Sequence, residues 1–483
     1  MNEQHLDRSS PPDDRRRRAP TRLGAGVLHT IVAGAVPFLA VLCLFAFYGQ
    51  EHRRQSGDTY GTMMTAVALV QQRTIWLDDY LPYIQARSGE RPYMVTEGRG
   101  GHPVNVTPFA PAVLALPAVL VFDLAGTAAS GWESWMEAGM LTGAMTATLS
   151  VLVLFLLMTR LTTRYRAFLV ASTYAFGTLT WGVAGQALWQ HAPAMLALSL
   201  ALLALHDQRY ALAGASLAAM VASRPSTPII ALFLLPLVGR AVRDWARFVL
   251  GALPVGLVLV AYNLYVFGAP LRTGYTTNGE SSASLFDGNL LEGLSGLLVS
   301  PGRGLLVYSP VLVFAVVGAV KGFRTPLYRW TALAALAYVL AIGRYAFWWG
   351  GESFGPRMLT DALPLLALLL VPALEVVVRR QWLRWAFGLT LAWSVAVQVL
   401  GAAAWPPAAW YDVRDLTDRS IWWSPTSNEL VAMVQEANSL TLIGRLLVTL
   451  VAGLALAYVA AWVSLSFRSV AGTPAKRDAD EHR

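Results

Sequence analysis

The chain is a succession of apolar runs, many near the ~20 residues that a helix needs to cross a ~30 Å hydrocarbon layer, separated by short polar or basic breaks. Helical spans are predicted at 165–184, 191–206, 209–222, 226–240, 245–266, 304–320, 328–345, 357–378, 383–404 and 441–467. Ahead of them, the run 27–48 is long enough to span and has no small-residue cleavage site after it, so it reads as an anchor rather than a removed signal peptide. Two further runs, 107–124 and 136–159, compete for one crossing. The first carries Pro108, Pro111 and Pro117 and ends at Asp123, which predicts an interfacial or re-entrant helix. The total is about twelve spans, or about thirteen if both runs cross. Alternating ten-residue segments are missing, which argues against a barrel.

Basic breaks assign sides. Segments 160–166, 240–247, 321–329 and 379–384 carry clustered Arg or Lys and read as cytoplasmic. The alternate connections 186–191, 223–227, 268–303, 344–357 and 405–440 are aromatic and polar, and read as external. Residues 1–26, with Pro11, Pro12 and Arg15 to Arg18, cannot bury a core and predict a disordered cytoplasmic tail. A second cytoplasmic tail is expected at 468–483. The expected organisation is a transmembrane module at 27–380, with external loops 49–135 and 267–303, followed by C-terminal membrane helices at 381–467 with an external loop at 405–440.

Composition agrees with this reading and narrows it. With 55% hydrophobic and 14% charged residues, the chain is too apolar for an ordinary soluble protein of 483 residues, and the expected fold class is an all-α polytopic membrane protein. A single cysteine, Cys43, excludes an intramolecular disulfide framework and a Cys-based metal site. The net charge of +8 sits mainly in short loops and tails that set topology, so it carries no nucleic-acid signal.

Candidate chemistry gathers in the external segments. The first external loop holds Asp58, within Gly57-Asp58-Thr59-Tyr60, then Asp78, Asp79, Glu90, Glu97 and His102, with an amphipathic run predicted at 60–72. A carboxylate there suits proton abstraction from a hydroxyl or oxygen ligation of a divalent cation, and equally suits a solvated loop. Asp58 stands out because it follows the first span closely. In Leu188-Trp189-Gln190-His191, Trp189 suits an interfacial anchor, and His191 fits a base, a substrate contact or a hydrogen-bonded structural histidine. Arg224, in a short outer turn, opposes the positive-inside trend; it fits a phosphate ligand or a structural ion pair. Segment 262–308 carries Arg272, Tyr275 and the turn Ser300-Pro301-Gly302-Arg303-Gly304, without the Gly-Lys-Ser/Thr of a nucleotide phosphate loop. Segment 344–357 interleaves Trp348, Trp349, Glu352 and Arg357, and aromatic faces beside polar groups suit sugar rings as well as membrane anchoring.

In this order the motifs resemble those of bacterial membrane glycosyltransferases of the GT-C class, within the superfamily that includes protein O-mannosyltransferases and lipid A aminoarabinose transferases. The resemblance rests on the acid after the first span, His102-Pro103 to Pro111, Trp-Gln-His, Ser-Arg-Pro, Phe-Gly-Ala-Pro, Ser-Pro-Gly-Arg-Gly-Leu and Trp-Trp-Gly-Gly-Glu-Ser-Phe-Gly-Pro-Arg. It implies a GT-C-like bundle of about 12 to 13 membrane helices with large external loops after spans one and seven, in a bacterial inner membrane, with an extracytoplasmic active site. It further implies a polyprenyl-phosphate-sugar donor, a glycan, lipid or protein acceptor, and inverting transfer with Asp58 as general base. Thr59 stands where many relatives carry a second acid; this leaves a divalent cation an open possibility, names no metal ligand, and keeps Asp79 as a second candidate base beside Asp78. Arg224 and Arg303, then Arg272 and Arg357, are the expected phosphate ligands. His102, His191, Tyr275, Trp349 and Glu352 are the expected substrate contacts. The competing expectation is a lipid-linked sugar flippase or transporter without transferase activity, which would call for ionisable residues near the bilayer midplane.

Overall fold

The computed structural model describes residues 57–90, 92–126, 131–277, 284–405 and 407–437. The expected spans 27–48 and 441–467 and both expected tails lie outside the described residues. Because hydrocarbon offers the backbone no hydrogen-bond partners, apolar runs close their bonds internally and become helices. The chain begins with α1 (Gly57–Gln71), α2 (Leu81–Ser88), a small antiparallel pair β1 (Val95–Glu97) and β2 (Pro103–Asn105), and α3 (Ala110–Leu124). Then come α4 (Trp132–Leu161), α5 (Arg164–Phe176), α6 (His191–His206), α7 (Tyr210–Ser223), α8 (Pro228–Leu234) and α9 (Val242–Phe267). The last set is α10 (Leu290–Val299), α11 (Val313–Gly322), α12 (Pro326–Gly343), α13 (Leu363–Val377), α14 (Gln381–Ala404) and α15 (Glu429–Ala437). Among the described residues, five helical segments are long and apolar enough to cross a membrane: α4, α9, α12, the continuous 357–377 segment and α14. The protein is an all-α polytopic membrane protein.

Local chemistry sets the boundaries. The Asn289 side chain caps α10 by accepting from the N–H groups of Leu291 and Glu292, and Gly268 ends α9 in the left-handed conformation. The expected span 304–320 is broken, since Pro310 supplies no N–H and disfavours helix at Ser309; α11 starts only at Val313. The expected span 165–184 likewise stops at Phe176, and a π-helical turn follows at Thr180–Ala184. The run expected at 60–72 to be amphipathic is instead enclosed: Thr59 and all residues from Gly61 to Ala68 are buried in α1. At 15 residues, α3 is ~22 Å long, short of the hydrocarbon thickness. Its Ala112, Ala115 and Val119 face α1 and α4, while Leu120 and Val121 are exposed.

Two cores result. One joins α4 to α7 with α11 to α14, and a smaller one joins α1 and α3 to the start of α4 through Met63, Val67, Trp132 and Trp135. Helix α9 packs chiefly on α7 and otherwise presents an apolar surface. Their crossing depends on small residues, because a Cβ at Gly214 would fall on the Phe248 carbonyl and one at Gly251 on the Ala211 carbonyl. Gly214→Leu is therefore expected to force the two helices apart at a cost of about 1–3 kcal/mol or more, read as a lowered Tm in detergent. An unchanged Tm would show that the crossing tolerates a side chain.

Candidate functional site

Asp58 lies in the first turn of α1, where the helix N-terminus favours an anion. Arg357 reaches it from the opposite core, donating from Nη1 to Asp58 Oδ2 at 2.7 Å. The arginine is aimed by its own segment. Gly350 and Gly351 take left-handed φ of 76° and 67°, a conformation that side chains with a Cβ rarely adopt, and this turns the chain so that the Gly350 carbonyl accepts from Arg357 Nη2 at 2.8 Å. The guanidinium stacks on the buried Trp189 indole, 4.3 Å from its centroid. Its Nε is buried and makes no hydrogen bond among the described residues.

A second arginine stands beside this pair. Arg224, just past α7, donates from Nε to Asp361 Oδ2 at 3.2 Å and from Nη1 to Gln190 Oε1 at 3.3 Å. Asp361 also meets His191 Nδ1 at 2.9 Å and accepts from the Tyr338 hydroxyl at 2.6 Å. Gln190 in turn donates to the Tyr275 hydroxyl at 2.7 Å, so the phenol keeps its own proton to donate, and burial pushes its pKa up to about 12. Around Asp58 the balance is clear. Burial works against its charge, but the Arg357 charge and hydrogen bond, the Arg224 charge and a hydrogen bond from Tyr93 outweigh it and hold the carboxyl below its ordinary value of 3.8. The site thus sets the ionised Asp58 carboxylate beside two guanidiniums, one of them paired to Asp361, and the phenols of Tyr93 and Tyr275.

Arg303, expected as a phosphate ligand, is elsewhere and fully occupied. It is wholly buried, and its N–H groups go to the carbonyls of Trp349, Gly302 and Gly351, to the Tyr411 hydroxyl and to Glu429 Oε2 at 2.7 Å. The Trp422 ring covers it at 4.1 Å. Glu429 also accepts from Tyr308, Trp405, Tyr411 and the Gly355 N–H. With every donor satisfied inside the protein, Arg303 has none left for a phosphate. This pair fastens α15 to the segment that carries Arg357.

The other expected residues divide similarly. His191 and Tyr275 join the Arg224 network. Trp349 is buried beside Arg303, not beside Asp58, and Glu352 is exposed. Asp79 is exposed and accepts from Gln72 at 2.8 Å, and His102 pairs with Asp78 at 3.0 Å on the surface, so neither stands in the arginine cluster. Arg272 is exposed and lines an outer cleft. Asp361, Tyr338, Tyr93 and Glu429 were missed in the sequence. Asp361 carries the one legible signal, an acid near the outer end of the apolar run 357–378, which holds one other acid, Glu375. Among the described residues no group of three or more His, Cys, Asp or Glu is placed to hold a metal ion, and the cations nearest Asp58 are guanidiniums.

No protein-family model and no curated protein matches the chain. Among solved structures it is similar to the crystal structure of ArnT from Cupriavidus metallidurans bound to undecaprenyl phosphate, with 11% identity, a TM-score of 0.50, and 88% of this chain and 78% of that one covered. The apo ArnT structure from the same organism matches at 13% identity and a TM-score of 0.48 over the same shares. The likeness to the first shows a shared fold.

Proposed function

We propose that this chain is a membrane glycosyltransferase that moves a sugar from a polyprenyl-phosphate carrier to an acceptor hydroxyl on the extracytoplasmic face, with inversion. The observation that carries the reading is the contact between the Asp58 carboxylate and the Arg357 guanidinium, with Arg224 beside them. That arrangement supplies a proton acceptor and two phosphate ligands in one site, at the junction of an enclosed helix with the membrane core. The shared fold with ArnT, whose crystal structure holds undecaprenyl phosphate, supports a polyprenyl-phosphate donor here.

In this reading the donor's phosphodiester binds Arg357 and Arg224, the first through the donor atoms it now directs at Asp58 and its unpaired Nε. The phosphate draws Arg357 away from Asp58, and its negative charge raises the carboxylate's proton affinity when a base is needed. The acceptor oxygen attacks the anomeric carbon as the carbon–oxygen bond to phosphate breaks. The acceptor proton passes to Asp58, and the electron pair leaves with the phosphate, whose second negative charge the two arginines and the Tyr275 hydroxyl stabilise. A single displacement inverts the anomeric configuration. Asp361 fixes Arg224 and His191 in place, so His191 is a positioning residue.

Binding of undecaprenyl phosphate to the protein in nanodiscs tests the phosphate ligands. Arg357→Ala and Arg224→Ala are each expected to weaken it about 10- to 100-fold, the worth of one charge-assisted contact, while Arg272→Ala leaves it within about twofold. Equal affinity in wild type, Arg357→Ala and Arg224→Ala, all with unchanged unfolding, discards the phosphate role.

A further inference from the structure

We infer that the cleft outside the Asp58 centre is the acceptor site and that it takes a neutral oligosaccharide chain; this rests on the transferase reading above. The cleft has a volume of about 1480 Å³ and is walled by α2 and the turn after it, by the β1–β2 hairpin, and by the end of α9 with the segment that follows. One of its lining residues, Tyr93, reaches the catalytic centre. Tyr93 lines it, and the Tyr93 hydroxyl lies 2.7 Å from where a Cβ on Gly57 would stand, next to Asp58, whose carboxylate it helps to hold. Thr277 lines it two residues after Tyr275, whose hydroxyl belongs to the Gln190–Arg224 network. A chain lying in the cleft therefore reaches the phenol that hydrogen-bonds the carboxylate.

The lining selects the class of ligand. Its described charged residues are two carboxylates, Glu90 and Glu97, and two guanidiniums, Arg99 and Arg272. A polyanion would call for a surplus of cations and a basic peptide for a surplus of acids, and neither is present in that set. Carboxylates accept from sugar hydroxyls and guanidiniums donate to them, so the set reads a neutral polyol along its length. Tyr93 is 61% exposed, offering a phenol face to the C–H side of a ring. The volume exceeds the ~300–1,000 Å³ usual for a single small ligand, which fits several linked rings. An acyl chain would call for a continuous apolar wall, and the two acids and two arginines interrupt one.

The test uses full-length protein in nanodiscs and reads dissociation constants by ligand-observed NMR. The probes are gluco-, manno-, galacto- and arabino-oligosaccharides of one to six units, a neutral Ser/Thr-rich peptide, and undecaprenyl phosphate. At least one saccharide series is expected to bind more tightly with each added unit over the first few, and Glu97→Gln and Arg99→Gln are each expected to weaken the longer members about tenfold or more. Both variants are expected to bind undecaprenyl phosphate as wild type does. The proposal is overturned if no series gains affinity with length, if both variants bind the saccharides unchanged, or if the peptide alone binds and is lost in the same variants. Failure of undecaprenyl phosphate to bind folded wild-type protein would instead sink the transferase reading, so the two failures are separable.

Discussion

Asp58→Asn is expected to lower transfer from a polyprenyl-phosphate-linked sugar by about 10²- to 10⁴-fold, the usual worth of a general base, with little change in stability or in undecaprenyl phosphate binding. The amide keeps the shape of the side chain and can no longer take the acceptor's proton. Asp79→Asn, on the exposed surface, is expected to leave transfer near wild type. Full activity in Asp58→Asn would discard the base assignment, and loss in Asp79→Asn would move it. The pH dependence carries a further sign. The ionised carboxylate is the active form, so activity is present above its pKa and lost as the pH falls through it. In the free protein Arg357 and Arg224 hold that pKa below 3.8, which puts the acidic limb of kcat/KM for the donor under the ordinary carboxylate range. Once phosphate has drawn Arg357 away, the carboxylate faces an anion instead of a cation, and the limb in kcat moves to higher pH. Coincident limbs would show that Arg357 stays on Asp58 through the reaction.

How much of this was legible depended on how far apart in sequence the partners lie. The long apolar helices between 132 and 404 follow from hydropathy, since a helical segment in hydrocarbon satisfies itself locally, whereas α10 and α15 fall in segments read as external loops. The breaks at Phe176 and Ser309 were harder, although Gly177 and Pro310 mark them. Asp58 could be picked out from its place after the first apolar run. Its partner could not, because Arg357 lies 299 residues away and nothing local says which external arginine will meet it. The sequence ranks Arg303 ahead of Arg357, both being arginines in Gly- and aromatic-rich external segments. What separates them is Glu429, 126 residues beyond Arg303, in a loop read only as external. Asp361 was hidden by averaging, since its run stays strongly apolar even with Asp361 and Glu375 in it. Surface acids such as Asp78 and Asp79 stayed in contention behind Asp58 because exposure is not written in residue type.

Glu429→Ala is expected to destabilise the protein by about 3–5 kcal/mol, since it leaves the buried Arg303 charge unpaired and orphans several other donors. Thermal unfolding in nanodiscs measures the loss. The consequence for chemistry follows from the same bonds: Glu429 holds the Gly355 N–H, Arg303 holds the Trp349 and Gly351 carbonyls, and these flank the left-handed turn that aims Arg357. Glu429→Gln, which keeps the shape and removes the charge, is therefore expected to lower Tm and donor affinity together. Asp58→Asn, by contrast, lowers turnover without lowering Tm. A paired change to apolar residues, Arg303→Met with Glu429→Leu, removes both charges and is expected to recover part of the stability that either single change loses, because the desolvation of an ion pair is removed along with its attraction. It is not expected to recover donor affinity fully, since the carbonyls of Trp349 and Gly351 lose their donor. The decisive variant is Arg303→Lys, which keeps the charge but not the fork that spans three carbonyls and a carboxylate. Weakened undecaprenyl phosphate binding at an unchanged Tm would return Arg303 to the phosphate; a lowered Tm together with weakened binding that is lost on further Arg357→Ala identifies it as the pin that fastens the segment carrying Arg357.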